Sequence, residues 1–220
     1  MVAATTRGRG TDVLLVMVPG MGMTESDFEA EGLYELVRGT GWPISVAAVD
    51  PGADAYLDGT LESRLLNGIE AVRRDAGGAR VWLAGISLGC QAILRCVRMQ
   101  PNLAEGLILL TPYLASTGLI AEVGQAGGLL PWATANTGRM EPERSLLTWL
   151  ATMPRGALPP ILVGQALEDR FARTAALLAE LLPSDQVISV PGGHDWTSWR
   201  ALWRLVLERN PFEQRAALTS

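Results

Sequence analysis

Lysine is absent from this chain of 220 residues, and all 18 of its cationic side chains are arginine. Without a lysine amine, the protein cannot form a Schiff base with pyridoxal phosphate. It also cannot supply the lysine with which a P-loop holds a nucleotide. These two classes of cofactor-dependent and nucleotide-dependent enzyme are therefore excluded, and we expect no cofactor.

Cysteine and histidine are almost as scarce, with two cysteines and one histidine. Cys90 and Cys96 fall six residues apart on one predicted helix, which places them on different faces and more than a turn apart. We therefore expect no disulfide between them. Three such residues also offer few of the ligands that zinc prefers. We predict no metal site and two core thiols in a reducing compartment.

Long hydrophobic runs and basic blocks are missing too. The apolar run Val13–Val18 is too short to cross a bilayer, and residues 1–10 lack the apolar core of a signal peptide. The net charge of −5 argues against a nucleic-acid partner. We predict a cytoplasmic protein without a membrane span. Its length favours a single domain, residues 11–210, between flexible tails at 1–10 and 211–220.

Apolar runs alternate with stretches of helical spacing along the chain. The predicted strands are Val13–Val18, Ile44–Val49, Arg80–Ala84, Gly106–Leu110, Pro160–Val163 and Gln186–Val190. The predicted helices are Ser26–Val37, Leu61–Arg74, Leu88–Met99, Pro142–Leu150, Phe171–Leu182 and Trp196–Leu207. This alternation predicts an α/β fold in which about six mostly parallel strands carry helices on both faces.

The last predicted helix carries a stripe of large apolar side chains. Trp196, Trp199, Trp203 and Val206 share one helical face, and such a stripe favours packing on the sheet. Trp196 also lies two residues after the single histidine and could help to position it.

Residues 115–156 separate two predicted strands by more than forty residues. The first half of this insertion is rich in glycine and apolar residues. A connection of this length is uncommon unless it has a function or a structure of its own. We predict that residues 119–140 form a small cap over a binding site; the alternative is an ordinary surface insertion.

The pentapeptide Gly85-Ile86-Ser87-Leu88-Gly89 follows one predicted strand and opens a predicted helix. Strand, Gly-x-Ser-x-Gly and helix together predict a nucleophile elbow. The glycines allow the backbone to come close at a sharp turn. Ser87 then lies at a helix N-terminus, where free N–H groups favour developing negative charge.

A serine hydroxyl needs a base beside it to act as a nucleophile. Imidazole is the usual base, and His194 is the only imidazole that the chain has. It follows the last predicted strand within Pro191-Gly192-Gly193-His194. The alternative is a solvent-exposed loop histidine without a catalytic role.

The imidazole in turn needs a carboxylate that orients it. Glu168 and Asp169 follow the strand that begins at Pro160, and ligand sites in such sheets lie at the carboxyl ends of the strands. We prefer Asp169 and keep Glu168 as the alternative. Either carboxylate could instead cap the next helix. Asp195 is disfavoured because an adjacent residue usually points elsewhere.

The order Ser87, Asp169, His194 is similar to that of the α/β-hydrolase family, and the chain resembles its small esterases and lysophospholipases from Val13 to Leu207. This resemblance implies an α/β-hydrolase fold with a trimmed sheet. It also implies an oxyanion hole formed by the backbone N–H groups of Leu88 and Met21. Pro19-Gly20 stands where many members have His-Gly, which leaves a backbone donor intact.

The resulting expectation is a serine hydrolase that cleaves a carboxylic ester through an acyl-enzyme. The apolar insertion suggests a hydrophobic small-molecule substrate of small to medium size. We predict that Gly20, Gly22, Leu129, Leu130 and Trp132 contact it. The alternatives are a thioesterase, a perhydrolase or lyase with the same triad, and a non-catalytic ligand-binding protein.

Overall fold

The computed structural model describes residues 13–135, 141–154 and 156–213. Its strands are β1 (Val13–Val18), β2 (Ile44–Ala48), β3 (Arg80–Ile86), β4 (Gly106–Leu110), β5 (Ile161–Ala166) and β6 (Val187–Val190). They form one sheet in the order β2-β1-β3-β4-β5-β6, and every neighbouring pair is parallel. The predicted six-stranded parallel sheet is confirmed.

Helices cover both faces of this sheet. They are α1 (Asp27–Ala30), α2 (Leu33–Gly39), α3 (Ala55–Asp58), α4 (Leu61–Asp75), α5 (Leu88–Met99), α6 (Thr117–Gln125), α7 (Leu129–Ala135), α8 (Pro142–Thr152), α9 (Ala172–Ala179) and α10 (Trp196–Glu208). Buried side chains of α4, α5 and α9 form one core, and those of α2 and α10 form the other. No helix in the described ranges is long and apolar enough to cross a membrane.

The predicted helix Ser26–Val37 is in fact two short helices, α1 and α2. Gly32 lies between them with φ 75°, a conformation that glycine adopts at little cost and that interrupts a right-handed helix. The apolar spacing across the break still places Phe28, Leu33 and Val37 in one core. Periodicity therefore identified the buried face but not the break.

The tryptophan stripe of α10 packs against the sheet as predicted, with Trp199, Trp203 and Val206 buried. The chain stays ordered for a few residues after α10, within the segment predicted as a C-terminal tail. Pro211–Glu213 form a 3-10 helix, and the Phe212 ring lies 5.1 Å from that of Trp82. This aromatic contact holds the chain to the core beyond α10, whereas the rest of the tail lies outside the described residues.

The insertion contains α6, α7 and α8, of which the sequence predicted only α8. Its helices pack on one another and on α5. Glu122 pairs with Arg144 at 2.7 Å, and the Trp132 indole donates to Glu122 at 3.1 Å. Residues 136–140 of the predicted cap lie outside the described residues.

Gly89 lets α5 approach β1 at the turn after β3. A Cβ at this position would overlap the Val18 carbonyl oxygen and lie 2.7 Å from the Pro19 carbonyl oxygen. We expect Gly89→Ala to lower the free energy of unfolding by about 1–3 kcal/mol, because the backbone must shift to make room. Urea denaturation measures this change.

Gly124 provides the matched control because it lies in helix α6 with open space around its Cα. Gly124→Ala should raise stability by up to about 1 kcal/mol, since alanine favours helix more than glycine. Equal effects of the two substitutions would contradict the packing argument at Gly89.

Candidate active site

Three polar side chains meet at the carboxyl edge of the sheet, where β3, β5 and β6 end. The Ser87 hydroxyl lies 2.9 Å from His194 Nε2, and His194 Nδ1 lies 2.7 Å from Asp169 Oδ2. All three are shielded from solvent: the Ser87 residue is 7 % exposed, and the side chains of His194 and Asp169 are 9 % and 2 % exposed. The fold thus joins residues that lie up to 107 positions apart in the chain.

Ser87 occupies a strained turn between β3 and α5. Its φ of 53° and ψ of −117° lie in a region that non-glycine residues rarely adopt. The Ser87 amide donates to the Leu110 carbonyl at 3.0 Å, and the Ser87 carbonyl accepts from the amides of Cys90 and Tyr113. A Cβ on Gly85 would lie 2.8 Å from the Cys90 nitrogen. These contacts maintain a conformation that costs about 1–3 kcal/mol.

The His194 ring is held between two aromatic side chains. Phe171 and Trp199 pack against it edge to face, with centroid distances of 5.0 and 5.2 Å. The Trp199 indole donates to the Thr111 hydroxyl at 2.8 Å, which fixes its own orientation. Trp196, which the sequence suggested for this role, contacts Trp199 instead.

Of the three carboxylates considered from the sequence, Asp169 is the one that meets the imidazole. Its second oxygen accepts from the Phe171 amide at 2.6 Å. The Glu168 carboxylate accepts from the Gly192 amide instead, and Asp195 caps α10 by accepting from the Ser198 amide at 3.0 Å. Both oxygens of Asp169 are thus engaged, which fixes the carboxylate relative to His194.

Backbone hydrogen bonds also join the loop that carries Asp169 to the loop that carries His194. The Leu167 amide donates to the Val190 carbonyl and the Glu168 amide to the Gly192 carbonyl, both at 3.0 Å. Together with the Glu168 carboxylate, these bonds hold the two loops in register. Glu168 therefore stabilises the loop before His194 and does not contact the imidazole.

The turn Pro19-Gly20-Met21-Gly22 passes directly beside Ser87. A Cβ on Gly20 would lie 3.1 Å from both the Ile86 carbonyl oxygen and the Ser87 Cβ. Met21 and Leu88 line the same cavity as Ser87. Within the described ranges, neither of their backbone N–H groups has a hydrogen-bond acceptor. Both amides therefore remain available to an anionic oxygen bound beside Ser87.

A cavity of about 480 Å³ opens at Ser87. Its lining comes from the turn after β1, from α3, from one face of α5, from the loop after β4, from the start of α8 and from the loop before α9. The lining residues are Met21, Tyr56, Ser87, Leu88, Gln91, Arg95, Tyr113, Glu141, Pro142, Glu143, Arg170 and Phe171. Four of these side chains are charged, so the cavity is more polar than the sequence suggested.

The two tyrosines of the lining keep their hydroxyl protons at neutral pH. Burial raises the pKa of Tyr113 to about 12, assisted by the charge of Glu143 and by the hydrogen bond that its hydroxyl donates to that carboxylate. Burial also raises the pKa of Tyr56, with Asp50 as a further cause. Both hydroxyls therefore act as hydrogen-bonding groups and not as bases.

The predicted contacts in α7 lie elsewhere. Leu129 and Trp132 are buried within the insertion and Leu130 is exposed, and none of the three lines the cavity. Gly20 and Gly22 flank Met21 but are not part of the lining. Helix α7 packs on α8, so Leu129 and Trp132 belong to the core of the insertion.

Sequence reasoning missed most of the residues that do line the cavity. Gln91 and Arg95 follow Ser87 at intervals of four residues, a spacing that places all three on one face of a helix. This signal was available in the sequence. Tyr56, Tyr113 and Phe171 carry no comparable signal, because they come from separate connections between strands and helices.

The sequence profile of the alpha/beta hydrolase family matches residues 15–219. No protein of curated function matches the chain by sequence. Among solved structures, the chain is similar to the S-formylglutathione hydrolase FrmB of Staphylococcus aureus, at 14 % identity and a TM-score of 0.63. That match covers 92 % of this chain and 82 % of the other.

Two further structures are comparably similar. A thermophilic esterase from Thermogutta terrifontis matches at 16 % identity and a TM-score of 0.61, over 95 % of this chain and 92 % of that one. Est1E from Butyrivibrio proteoclasticus, solved with ferulic acid bound, matches at 16 % identity and a TM-score of 0.56, over 95 % of both chains. At these identities the structures support the fold, and the family profile spans nearly the whole sequence. The chain therefore belongs to the alpha/beta hydrolase family.

Proposed function

We propose that this protein is a serine hydrolase that cleaves a carboxylic ester, with Ser87 as nucleophile, His194 as general base and Asp169 as the carboxylate that orients the base. The observation that carries the proposal is the continuous hydrogen-bonded series from the Ser87 hydroxyl through both imidazole nitrogens to Asp169. This series begins at the wall of a cavity large enough for a small ester.

In the proposed reaction, His194 Nε2 accepts the Ser87 proton as Oγ attacks the acyl carbonyl. Asp169 accepts a hydrogen bond from Nδ1–H, which keeps Nε2 unprotonated before attack and stabilises the imidazolium afterwards. His194 then protonates the leaving alkoxide. In the second half, His194 removes a proton from water as the water attacks the acyl-enzyme, and it returns that proton to Ser87 Oγ as the acid is released.

The tetrahedral intermediate carries its negative charge on the former carbonyl oxygen. We assign the oxyanion hole to the backbone N–H groups of Met21 and Leu88, which lack other acceptors in the described part of the chain. The N-terminus of α5 adds a favourable partial positive charge at Leu88. Loss of one such donor raises the barrier by about 3–4 kcal/mol in related chemistry.

The cavity lining alters the substrate expected from sequence. The hydrophobic substrate was inferred from α7 residues that do not line the cavity, whereas charged side chains do. We therefore propose a small ester with polar groups. The names of two similar structures, an S-formylglutathione hydrolase and a thermophilic esterase, are consistent with acyl transfer to water.

A fluorophosphonate probe tests the nucleophile directly, because it modifies a serine only where a base activates it. We expect one adduct per chain, located on Ser87 by peptide mass spectrometry, and none after denaturation. In parallel, p-nitrophenyl esters from acetate to laurate should be cleaved best at the short end, given the size of the cavity. A matched thioester would identify a thioesterase by its higher kcat/KM.

A folded protein that incorporates no phosphonate at Ser87 and cleaves none of these esters would favour the alternative of a non-catalytic ligand-binding protein. Labelling without turnover would still identify an activated serine whose substrate lies outside the panel.

A further inference from the structure

One face of α5 forms a polar wall of the cavity beyond the nucleophile. This face carries three polar residues at four-residue intervals, Ser87, Gln91 and Arg95. All three line the cavity. They are 7 %, 4 % and 8 % exposed. A buried arginine next to a nucleophile is unusual, because a buried charge is costly unless it is paired and hydrogen-bonded.

Arg95 is only partly satisfied by the protein. Its Nε and Nη2 atoms both contact the same oxygen of Glu62, at 2.8 and 2.7 Å. Glu62 thus occupies one side of the guanidinium and fixes its plane. Within the described ranges, Nη1 has no hydrogen-bond acceptor. The outer edge of the guanidinium, formed by Nη1 and Nη2, therefore remains available to a ligand in the cavity.

On the basis of the proposed ester hydrolysis, we propose that Arg95 binds a carboxylate of the substrate, separated by a short chain from the ester that Ser87 attacks. The planar edge of a guanidinium matches the two oxygens of a carboxylate. Arg95 begins about 12 Å beyond Ser87 along the helix axis. Its side chain leans toward the helix N-terminus, as helical side chains do, and so toward Ser87.

The other charged groups of the lining restrict where this carboxylate can bind. Glu141 and Glu143 lie at the start of α8, and Glu143 is held by the Tyr113 hydroxyl and the Ser116 amide. Both carboxylates repel an anion near α8. Arg170 is the second cation of the lining; it lies over the Phe171 ring at 4.9 Å and is exposed. Glu62 offsets the charge of Arg95, but the buried setting strengthens the hydrogen bonds that the guanidinium can donate to an anion.

The inference is tested with esters that differ only at the end remote from the reacting carbonyl. Methyl hydrogen adipate carries a carboxylate there, methyl 6-hydroxyhexanoate a hydroxyl and methyl hexanoate neither. Pentyl acetate and 5-acetoxypentanoate repeat the comparison with the carboxylate on the alcohol part. We expect kcat/KM to be highest for a carboxylate ester in one of the two series, which identifies the part of the ester that lies along α5.

The decisive variant is the double substitution Arg95→Gln with Glu62→Gln, which removes both charges and avoids an unpaired carboxylate. The ratio of kcat/KM for the preferred carboxylate ester to that for its alkyl counterpart should fall about 10- to 100-fold. The matched control is Arg80→Gln with Glu105→Gln, which removes an ion pair of 2.9 Å at the opposite edge of the sheet. Its ratio should equal that of the wild type.

Equal kcat/KM for the hydroxyl and carboxylate esters would overturn the inference. So would a fall in the carboxylate-to-alkyl ratio of kcat/KM that occurs in Arg170→Gln and not in the double variant. Calorimetry with Ser87→Ala separates this inference from the proposed function, because binding needs no turnover. Methyl hydrogen adipate should bind Ser87→Ala, and addition of the double substitution should weaken that binding. An inactive protein with this binding pattern would contradict the proposed function alone.

Discussion

Ser87→Ala is expected to lower kcat for ester hydrolysis by about 10⁶-fold, a loss of the size seen when a serine hydrolase loses its nucleophile. The substitution removes the Oγ that lies 2.9 Å from His194 Nε2 and leaves the rest of the cavity in place. Alanine keeps the Cβ of serine and adds no atom to the cavity, so binding of substrate should persist. The residual rate should reflect the oxyanion hole and substrate positioning.

The measurement is stopped-flow and steady-state hydrolysis of p-nitrophenyl acetate, with circular dichroism to verify the fold. Ser63→Ala provides the matched control, because Ser63 lies on α4 and its hydroxyl bonds only the Thr60 carbonyl within the described residues. That variant should keep wild-type kcat and KM. A Ser87→Ala protein that retains more than a hundredth of the activity would rule out Ser87 as the nucleophile.

Asp169→Asn is expected to lower kcat by about 10⁴-fold with little change in the fold. An asparagine can still accept from the Phe171 amide, but its NH₂ group would donate to His194 Nδ1. The imidazole would then carry its proton on Nε2 and could not accept the proton of Ser87. The effect thus arises from the tautomer of His194 and not from a displaced side chain.

Glu168→Gln distinguishes the two adjacent carboxylates. Its amide oxygen can still accept from the Gly192 amide, as the Glu168 carboxylate does, so the loop before His194 should keep its position. We expect less than a tenfold fall in kcat, measured on the same ester. If Glu168→Gln were the more damaging substitution, the orienting acid would have been assigned to the wrong residue.

The aromatic support of His194 connects this chemistry to the core. Trp199 belongs to the α10 face that packs on the sheet, and its ring also contacts the imidazole. Phe171 begins the segment that leads into α9 and contacts both His194 and Tyr113. The position of the base thus depends on hydrophobic packing. Such packing resists displacement because protein interiors are close-packed.

The elements that the sequence predicted well are those whose signal is local. Short apolar runs identified Val13–Val18 and Gly106–Leu110 with their observed bounds. The pattern around Ser87 predicted a strand, a sharp turn and a helix, and Ser87 is found as the residue before α5 at a positive φ. Each of these signals depends on neighbouring residues, so it can be recognised without knowledge of the rest of the fold.

The elements that the sequence predicted poorly depend on distant partners. Leu129 and Trp132 of α7 were expected to contact a substrate, but they pack within the insertion. Hydrophobicity indicates that a side chain is buried, not against which neighbour. The same limit applies to the two carboxylates after β5: the sequence favoured Asp169 but left Glu168 open, and the contact of Asp169 with His194 is visible only in the fold.

By itself, the sequence predicted that the chain is an α/β protein and that Ser87 lies on a sharp turn, and it contains His194 as its single imidazole. The tertiary structure decided which carboxylate meets that imidazole and which side chains line the cavity. The physical reason is the sequence separation of the contacts. Strand and helix patterns arise from contacts between residues only a few positions apart. A site assembled at the carboxyl edge of a parallel sheet takes its side chains from separate loops, and their meeting depends on strand order and on core packing.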